Sequence, residues 1–281
     1  MKKSKKEFRF GFIGIGRMAE LILRGMLQAE TVRPDQVLVS RTSQAALNKI
    51  SRELKVSVTS DNREVARACP ILWIGVKPFQ AKTVLSEIAP DLKAPSTVIS
   101  MMAGISLKMM KAQLGPRPSL VRIMPNTASL VGDGMTGVYF KKNLSQAIQK
   151  VLWQTLRPLG AIFPCRQEQE LDAITGLSGS GIAFVYAVAQ GLVEGGIASG
   201  LKEAAARDIA VQTLLGAGQM LRRSPLSAAE LIAQVVSKKG TTEAGLKVIQ
   251  RRKLISTLAE AVHQASLRAK EIREEHDRCL P

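Results

Sequence analysis

Two stretches of this chain carry residue types suited to chemistry. Gly14-Ile15-Gly16-Arg17-Met18-Ala19 is a G-x-G-x-x-A run between an apolar segment, Phe8-Arg9-Phe10-Gly11-Phe12-Ile13, and a helix-spaced one, Glu20 to Leu27. In that setting the first glycine permits a tight turn and the second lets the backbone approach a pyrophosphate. The alanine allows the helix to pack closely on the strand. The chemistry is dinucleotide binding. Far along the chain, Ser237-Lys238-Lys239-Gly240-Thr241-Thr242 follows an apolar helical run, Ala228 to Val236, and precedes a long helical pattern from Leu246. Hydroxyls and a glycine therefore fall at a helix start, where unpaired N–H groups and the positive dipole end suit a carboxylate. An ordinary cap by Ser237 or Thr241 accounts for the same residues.

The type of dinucleotide is legible one strand later. Val37-Leu38-Val39 ends at Ser40-Arg41-Thr42, about 20 residues past the glycines, where an NAD-binding unit places an acid to grip the ribose hydroxyls. Here a hydroxyl and a guanidinium stand instead. A carboxylate would repel a 2′-phosphate, whereas Arg41 can bind one through charge-assisted hydrogen bonds. NADP(H) is favoured over NAD(H); a solvated loop arginine is the plainer alternative.

These stretches need elements to position them. Ile71-Leu72-Trp73-Ile74-Gly75-Val76 reads as a buried strand stopped by Lys77-Pro78, and Thr97-Val98-Ile99-Ser100 as another, left through Met101-Met102-Ala103-Gly104-Ile105. Ser119 to Met124 forms the next, closed by Pro125-Asn126-Thr127. Helical patterns alternate with them, from Asp61 to Ala66 and from Ala81 to Leu92. That alternation predicts an α/β fold with a Rossmann-type, doubly wound parallel sheet. Asp133 to Tyr139 and Ala161 to Phe163 read as further strands around a helix from Ser145 to Leu156. Past Gln167 the periodicity is helical, with breaks near Gly200, Ser224-Pro225 and Gly240. The expected division is a dinucleotide-binding domain over 1–167, with a basic arm at 1–7, and an all-α domain over 168–281.

Composition narrows the function classes. At 281 residues, 46% hydrophobic and 22% charged, the chain can bury a sizeable core. No apolar run is expected to reach the roughly 18 residues of a membrane span, and the basic N-terminus lacks the apolar block of a signal peptide. The expectation is a cytoplasmic protein with no membrane partner. Cys69, Cys165 and Cys279 are far apart, and the two histidines, His263 and His276, join no cluster with ligand spacing; neither a disulfide framework nor a metal is expected. The net charge of +17 would suit nucleic acid, yet the basic residues are scattered and aromatics are only 4%. Nucleic acid is therefore disfavoured as a partner.

Over nearly its whole length the chain resembles the pyrroline-5-carboxylate reductase family. The likeness rests on Phe12 to Ala19, Val76-Lys77-Pro78, Met102-Ala103-Gly104-Ile105, Met124-Pro125-Asn126-Thr127 with Gly134-Met135-Thr136, Thr175 to Gly181, and Gly240-Thr241-Thr242. It implies NAD(P)H-dependent reduction of a cyclic imino acid, by a Rossmann domain and an interleaved helical domain that forms a homodimer. Family members often assemble such dimers into rings. The resemblance assigns cofactor contacts to Gly14, Ile15, Gly16, Arg17, Met18, Ser40, Arg41, Asn62, Val76, Lys77, Pro78, Ala103 and Glu168. It assigns substrate contacts to Gln234, Val235, Ser237, Gly240 and Thr241. Thr242 would hydrogen-bond the ring nitrogen as the catalytic residue, and backbone N–H groups around Gly240 and Thr241 would hold the carboxylate.

Three departures fall in the substrate half. Lys238-Lys239 stand where the family usually reads Pro-Gly, Ile182 where it has proline, and Ser227-Ala228 where His-Pro is common. If the second of the loop positions needs a positive φ, Lys239 carries strain. Two ammonium groups there would favour a carboxylate and disfavour a protonated imine. A divergent relative acting on another cyclic imine, or a non-catalytic NADP-binding regulatory protein, shares most of these features.

Overall fold

The computed structural model describes residues 8–142 and 144–278; the basic arm and Cys279 lie outside them. The chain divides into two compact units. The first runs to Gly179 and resumes at Gln264; the second is Ser180–His263.

The first unit is built on strands β1 (Phe10–Ile13), β2 (Val37–Ser40), β3 (Ser57–Thr59), β4 (Ile71–Ile74), β5 (Thr97–Ser100), β6 (Ser119–Pro125), β7 (Gly134–Phe140) and β8 (Gly160–Pro164). They form one sheet in the order β3-β2-β1-β4-β5-β6-β7-β8. From β3 to β6 in that order, every neighbouring pair is parallel. The chain moves outward from β1 to β3, then returns to the other side of β1 with β4. A crevice therefore opens between the carboxyl ends of β1 and β4, the switch point where such sheets take ligands.

Helices α1 (Arg17–Gln28), α2 (Gln44–Leu54), α3 (Asn62–Ala68), α4 (Ala81–Ile88), α5 (Leu107–Leu114) and α6 (Gln146–Leu156) cover the sheet. Alternation along each strand sorts the core into two layers. Phe12, Trp73, Ile99 and Val121 pack with residues of α1, α2 and α6; Ile13, Leu72, Ile74 and Val98 pack with α3, α4 and α5. Short polar residues fix several helix starts: the side chains of Ser43, Asp61, Ser106 and Ser145 each accept a backbone N–H of their helix.

Two features differ from a purely parallel reading. β7 runs antiparallel to β6, and β8 is parallel to β7. The link from β6 to β7 holds only a 3-10 turn, Thr127–Val131, too short for the crossover that a parallel pair needs. β3 is an unanticipated strand; Ser57-Val58-Thr59 is short and half-buried, with no apolar run to announce it.

After α7 (Glu170–Ile174), one π-helical segment, Thr175–Ser180, leads into the second unit. That unit holds α8 (Gly181–Ala198), α9 (Glu203–Arg223), α10 (Ala228–Val235), α11 (Thr241–Arg251) and the start of α12 (Leu254–Arg278). Its breaks match the expected ones, with one more at Arg252-Lys253. Among its described residues only Gly181, Ala206 and Ala210 are buried. Tyr186, Leu215 and Ile255 are all more than half exposed. The expectation that no segment is apolar enough to span a membrane is corrected here: the helical run Glu170–Ala198 is long and apolar enough to cross one. Its small residues and single charge within α8, Glu194, raise the hydropathy without a long run of bulky side chains. The end of α12 folds with the first unit. Arg273 Nε donates to Asp172 Oδ2 at 2.8 Å, and Ser106 Oγ bonds Asp277.

Phe12 and Trp73 are fully buried and stack at 5.8 Å with rings 7° apart. Trp73→Ala is expected to destabilise the first unit by about 3–5 kcal/mol, read as a lowered urea midpoint. Trp73 Nε1 has no partner, so Trp73→Phe should lose clearly less, because it removes an unsatisfied donor along with volume. Equal losses in the two variants would refute this account.

Candidate functional site

The glycine turn sits at the switch point. Gly14 has φ +75, and a Cβ there would lie 2.2 Å from Val76 Cγ1 and 2.8 Å from Val76 N, so both conformation and space require glycine. Its N–H donates to Ser40 O at 3.1 Å, and Gly75 N–H donates to Ile13 O at 2.9 Å. The turn is thereby tied to both neighbouring strand ends. Gly16 is the N-cap of α1 and has no side-chain cap. A Cβ on it would meet only Gly75 O, at 3.8 Å. The face of the turn over the α1 N-terminus is open, and the residues present fit a dinucleotide pyrophosphate. Arg17 is exposed, Met18 half-buried and Ile15 buried; the loop thus offers its backbone more than its side chains.

The rim is ordered by polar contacts. Ser40 is buried, and its Oγ donates to Asn62 Oδ1 at 2.7 Å; Asn62 Nδ2 donates to Glu87 Oε2 at 3.0 Å. Arg41 is half-buried, with Nη1 donating to Ile15 O at 3.1 Å. Its guanidinium therefore lies against the glycine turn with other N–H groups to spare. Val76 and Pro78 are half-buried and Lys77 is exposed at the end of β4. Ala103 follows β5, beside Gly104, which packs under Ile272 of α12. Glu168 is engaged within the protein: Oε1 accepts from Leu107 N and from Arg122 Nη1, both at 2.7 Å. It pins the N-terminus of α5 to a buried arginine, and through α5 the segment holding Ala103. Glu87 and Arg122 are supporting residues that no spacing in the sequence announces.

The substrate-type loop belongs to the second unit. Gly240, not Ser237 or Thr241, is the N-cap of α11, and no side chain caps the helix. The first helical bond is from Ala244 N–H to Gly240 O at 3.2 Å, which leaves the amides of Thr241, Thr242 and Glu243 ahead of the ladder. The Gly240 amide itself is used within the loop, donating to Ser237 O at 3.0 Å. Amides able to hold a carboxylate are therefore those one residue further on. Thr242 is half-buried in the first turn, while Gln234, Val235, Ser237 and Thr241 are exposed. Lys239 adopts φ +60, the strained conformation anticipated for it, at a cost of about 1 kcal/mol. Ser227, at another departure, opens α10 with a complete capping box: its N–H donates to Glu230 Oε2 at 2.7 Å and Glu230 N–H donates back to Ser227 Oγ at 3.3 Å.

Neither described cysteine is poised as a nucleophile. Burial pushes the Cys69 thiol up to about 12 and the Cys165 thiol up to about 11. Among the described residues there is no group of three or more His, Cys, Asp or Glu able to hold a metal ion.

A doubly wound sheet with an open glycine turn at its switch point, joined to a helical unit, defines a two-part dinucleotide-dependent oxidoreductase, and comparison with known proteins agrees. Residues 9–104 match the family model for NADP oxidoreductase, coenzyme F420-dependent, and residues 168–272 that for pyrroline-5-carboxylate reductase dimerisation. The chain is 36% identical over 264 residues to mouse pyrroline-5-carboxylate reductase 3, covering 94% of this chain and 96% of that one. It is 35% identical over 268 residues to the pyrroline-5-carboxylate reductase of Pseudomonas aeruginosa, covering 95% and 97%. The pyrroline carboxylate reductase of Plasmodium falciparum, solved with NADP bound, superposes with a TM-score of 0.86 at 27% identity, covering 96% of this chain and all of that one. The enzyme from Coxiella burnetii gives 0.86 at 31%, covering 95% and 98%. The chain belongs to the pyrroline-5-carboxylate reductase family.

The two glycines separate folding from binding. Gly14→Ala is expected to lower thermal stability outright. Gly16→Ala should stay within about 1 kcal/mol of the parent while weakening NADPH about tenfold or more, because its methyl group meets the pyrophosphate rather than the protein. Thermal melts and NADPH fluorescence titration check both; unaltered NADPH affinity in Gly16→Ala would remove the turn from the cofactor site.

Proposed function

We infer that the chain reduces the cyclic imine 1-pyrroline-5-carboxylate to L-proline with NADPH. The observation that carries this reading is full-length similarity to pyrroline-5-carboxylate reductases, with the Gly14–Ala19 turn and the Gly240-Thr241-Thr242 helix start both formed. Bound NADPH supplies a hydride to the C=N carbon. The protein's part is to hold the imino acid in one orientation and to manage a proton at nitrogen. The Thr242 hydroxyl donates a hydrogen bond to the ring nitrogen and relays to it the one proton that the amine gains as hydride reaches carbon, the hydroxyl being reprotonated from solvent. The Thr241 and Thr242 amides, at the positive end of α11, hold the carboxylate, with Ser237, Gln234 and Val235 lining the same loop. Arg41 grips the 2′-phosphate, and Ser40 and Asn62 shape the ribose side of the turn. No His, Cys or metal is required by this chemistry.

The same reading makes residues 168–281 a substrate-binding and dimerisation region. A helical unit that buries so few of its own residues needs an apolar partner surface, and a second copy supplies it in a homodimer. Larger rings of such dimers and a cytoplasmic location belong to this reading, with nucleic acid and membrane left out as partners. A reductase for a different cyclic imine is the second reading, favoured only by the two ammonium groups of Lys238 and Lys239 beside the loop.

NADPH oxidation with 1-pyrroline-5-carboxylate tests the assignment. Thr242→Ala is expected to lose about a hundredfold in kcat with NADPH affinity unchanged within about twofold; equal rates would take Thr242 out of the mechanism. Arg41→Ala should weaken NADPH by about tenfold or more and leave NADH nearly unaffected. An equal loss for both cofactors would refute the phosphate role.

A further inference from the structure

Four described non-glycine residues have positive φ: Glu30, Lys55, Lys239 and Lys253. Three of them follow a helix, and their amides donate to carbonyls of its last turn: Glu30 N to Leu27 O, Lys55 N to Ser51 O and Lys253 N to Gln250 O. That is the ordinary way a helix ends. Lys239 is different. It precedes a helix, and its amide donates to a side chain, the Oε2 of Glu243 in the first turn of α11. The other oxygen of that carboxylate accepts from Lys247 Nζ at 2.8 Å, one turn further along. A strained backbone is thus clamped by a carboxylate that is itself held from the other side, with Glu243 half-buried in the first turn of α11. The two contacts keep the Glu243 carboxyl below its ordinary range, Lys247 first and the Lys239 amide second.

We propose that Glu243 is a positioning residue of the substrate loop: its carboxylate, braced by Lys247, holds Lys239 left-handed and so sets the direction of the Thr241 and Thr242 amides. The proposal rests on the reading that this loop binds the imino acid. It assigns Glu243 no contact with substrate. Without the clamp, Lys239 relaxes toward negative φ, the link from Ser237 to Gly240 rotates, and the amides that open α11 lose their fixed aim. A residue that adopts positive φ without strain makes the clamp dispensable.

That last consequence is the test. Glu243→Ala is expected to raise the KM for 1-pyrroline-5-carboxylate about tenfold and leave NADPH affinity unchanged. Adding Lys239→Gly to it should bring KM back to within about threefold of the parent. Adding Lys239→Ala, which removes the same ammonium group without freeing φ, should not. Hydrogen exchange at the Lys239 amide, followed by mass spectrometry on the full chain, supplies a readout independent of turnover and should speed up about tenfold in Glu243→Ala. An unchanged KM in Glu243→Ala, or equal rescue by glycine and alanine, would overturn the proposal. If the parent does not turn over this imine, the proposed function fails, and the amide then decides the clamp alone: unchanged exchange in Glu243→Ala overturns it, and faster exchange sustains it.

Discussion

The proposed function depends on two helix N-termini left open toward anions, those of α1 and α11. Five helix starts, those of α2, α3, α5, α6 and α10, are closed by a serine or aspartate side chain, whereas α4, α7, α8 and α9 begin at Gln80, Gln169, Ser180 and Lys202 with no side-chain cap. At α1 and α11 the N-cap is a glycine with no capping side chain. A glycine start forgoes only about a few tenths of a kcal/mol of local stabilisation. In return it presents unpaired N–H groups and the positive end of the helix dipole to a ligand. On the proposed function the first takes the pyrophosphate and the second the carboxylate, so that cofactor and imino acid would be read by the same physics in two unrelated places. Much of the surrounding structure aims these two termini. The Gly14–Ser40 and Ile13–Gly75 bonds fix α1 against the strand ends, and the Ser237–Gly240 and Lys239–Glu243 bonds fix the entry to α11.

The two units differ in how they are stabilised. The first has apolar layers on both faces of its sheet, with Phe12, Trp73, Leu72 and Ile74 fully enclosed. It carries the ordinary hallmarks of an independent core. The second buries almost nothing of its own among the described residues, and its longest apolar helix would pass for a membrane span. Water would not tolerate such faces on a monomer. The dimerisation match over residues 168–272 supplies a reason for them: on the dimer reading, what looks like lipid-facing surface is protein-facing surface. Stability of this half would then depend on protein concentration, as it does for obligate dimers.

Much of the cofactor half was legible in the sequence because its signals are local. A glycine run between a strand pattern and a helix pattern identifies its own setting, and the missing acid at Ser40-Arg41 needs no tertiary information. What could not be read were features set by partners distant in the chain. Periodicity carries no strand direction, so β7 reversed unannounced. Ser57-Val58-Thr59 became a strand because β2 lies beside it, not through its own composition. Glu168, placed near the cofactor by resemblance, proves to bond Leu107 and Arg122, which are remote in sequence. In the substrate half, the strain at Lys239 was foreseeable from the glycine usual at that position. Glu243 was passed over, although a glutamate at the third position of a helix is an elementary capping signal; here it reaches the residue before the cap rather than the cap itself.

Gly14 and Lys239 show why similar backbone conformations are met by different residues. Both have positive φ, at +75 and +60. At Gly14 a Cβ would collide with the side chain and backbone of Val76 in the interior of the turn, so only glycine satisfies space and dihedral together. Lys239 lies exposed on the loop, where there is room for a side chain and only the dihedral is at issue. A dihedral alone costs about 1 kcal/mol, which one well-placed acceptor can offset, whereas a backbone collision cannot be offset without moving the strand. The interior turn is therefore committed to glycine by geometry, and the exposed loop is free to exchange glycine for a cation wherever a carboxylate stands at hand to hold the amide. The positive charge beside the start of α11 follows from that freedom, and on the proposed function it adds an ammonium group where carboxylate binding would benefit from one.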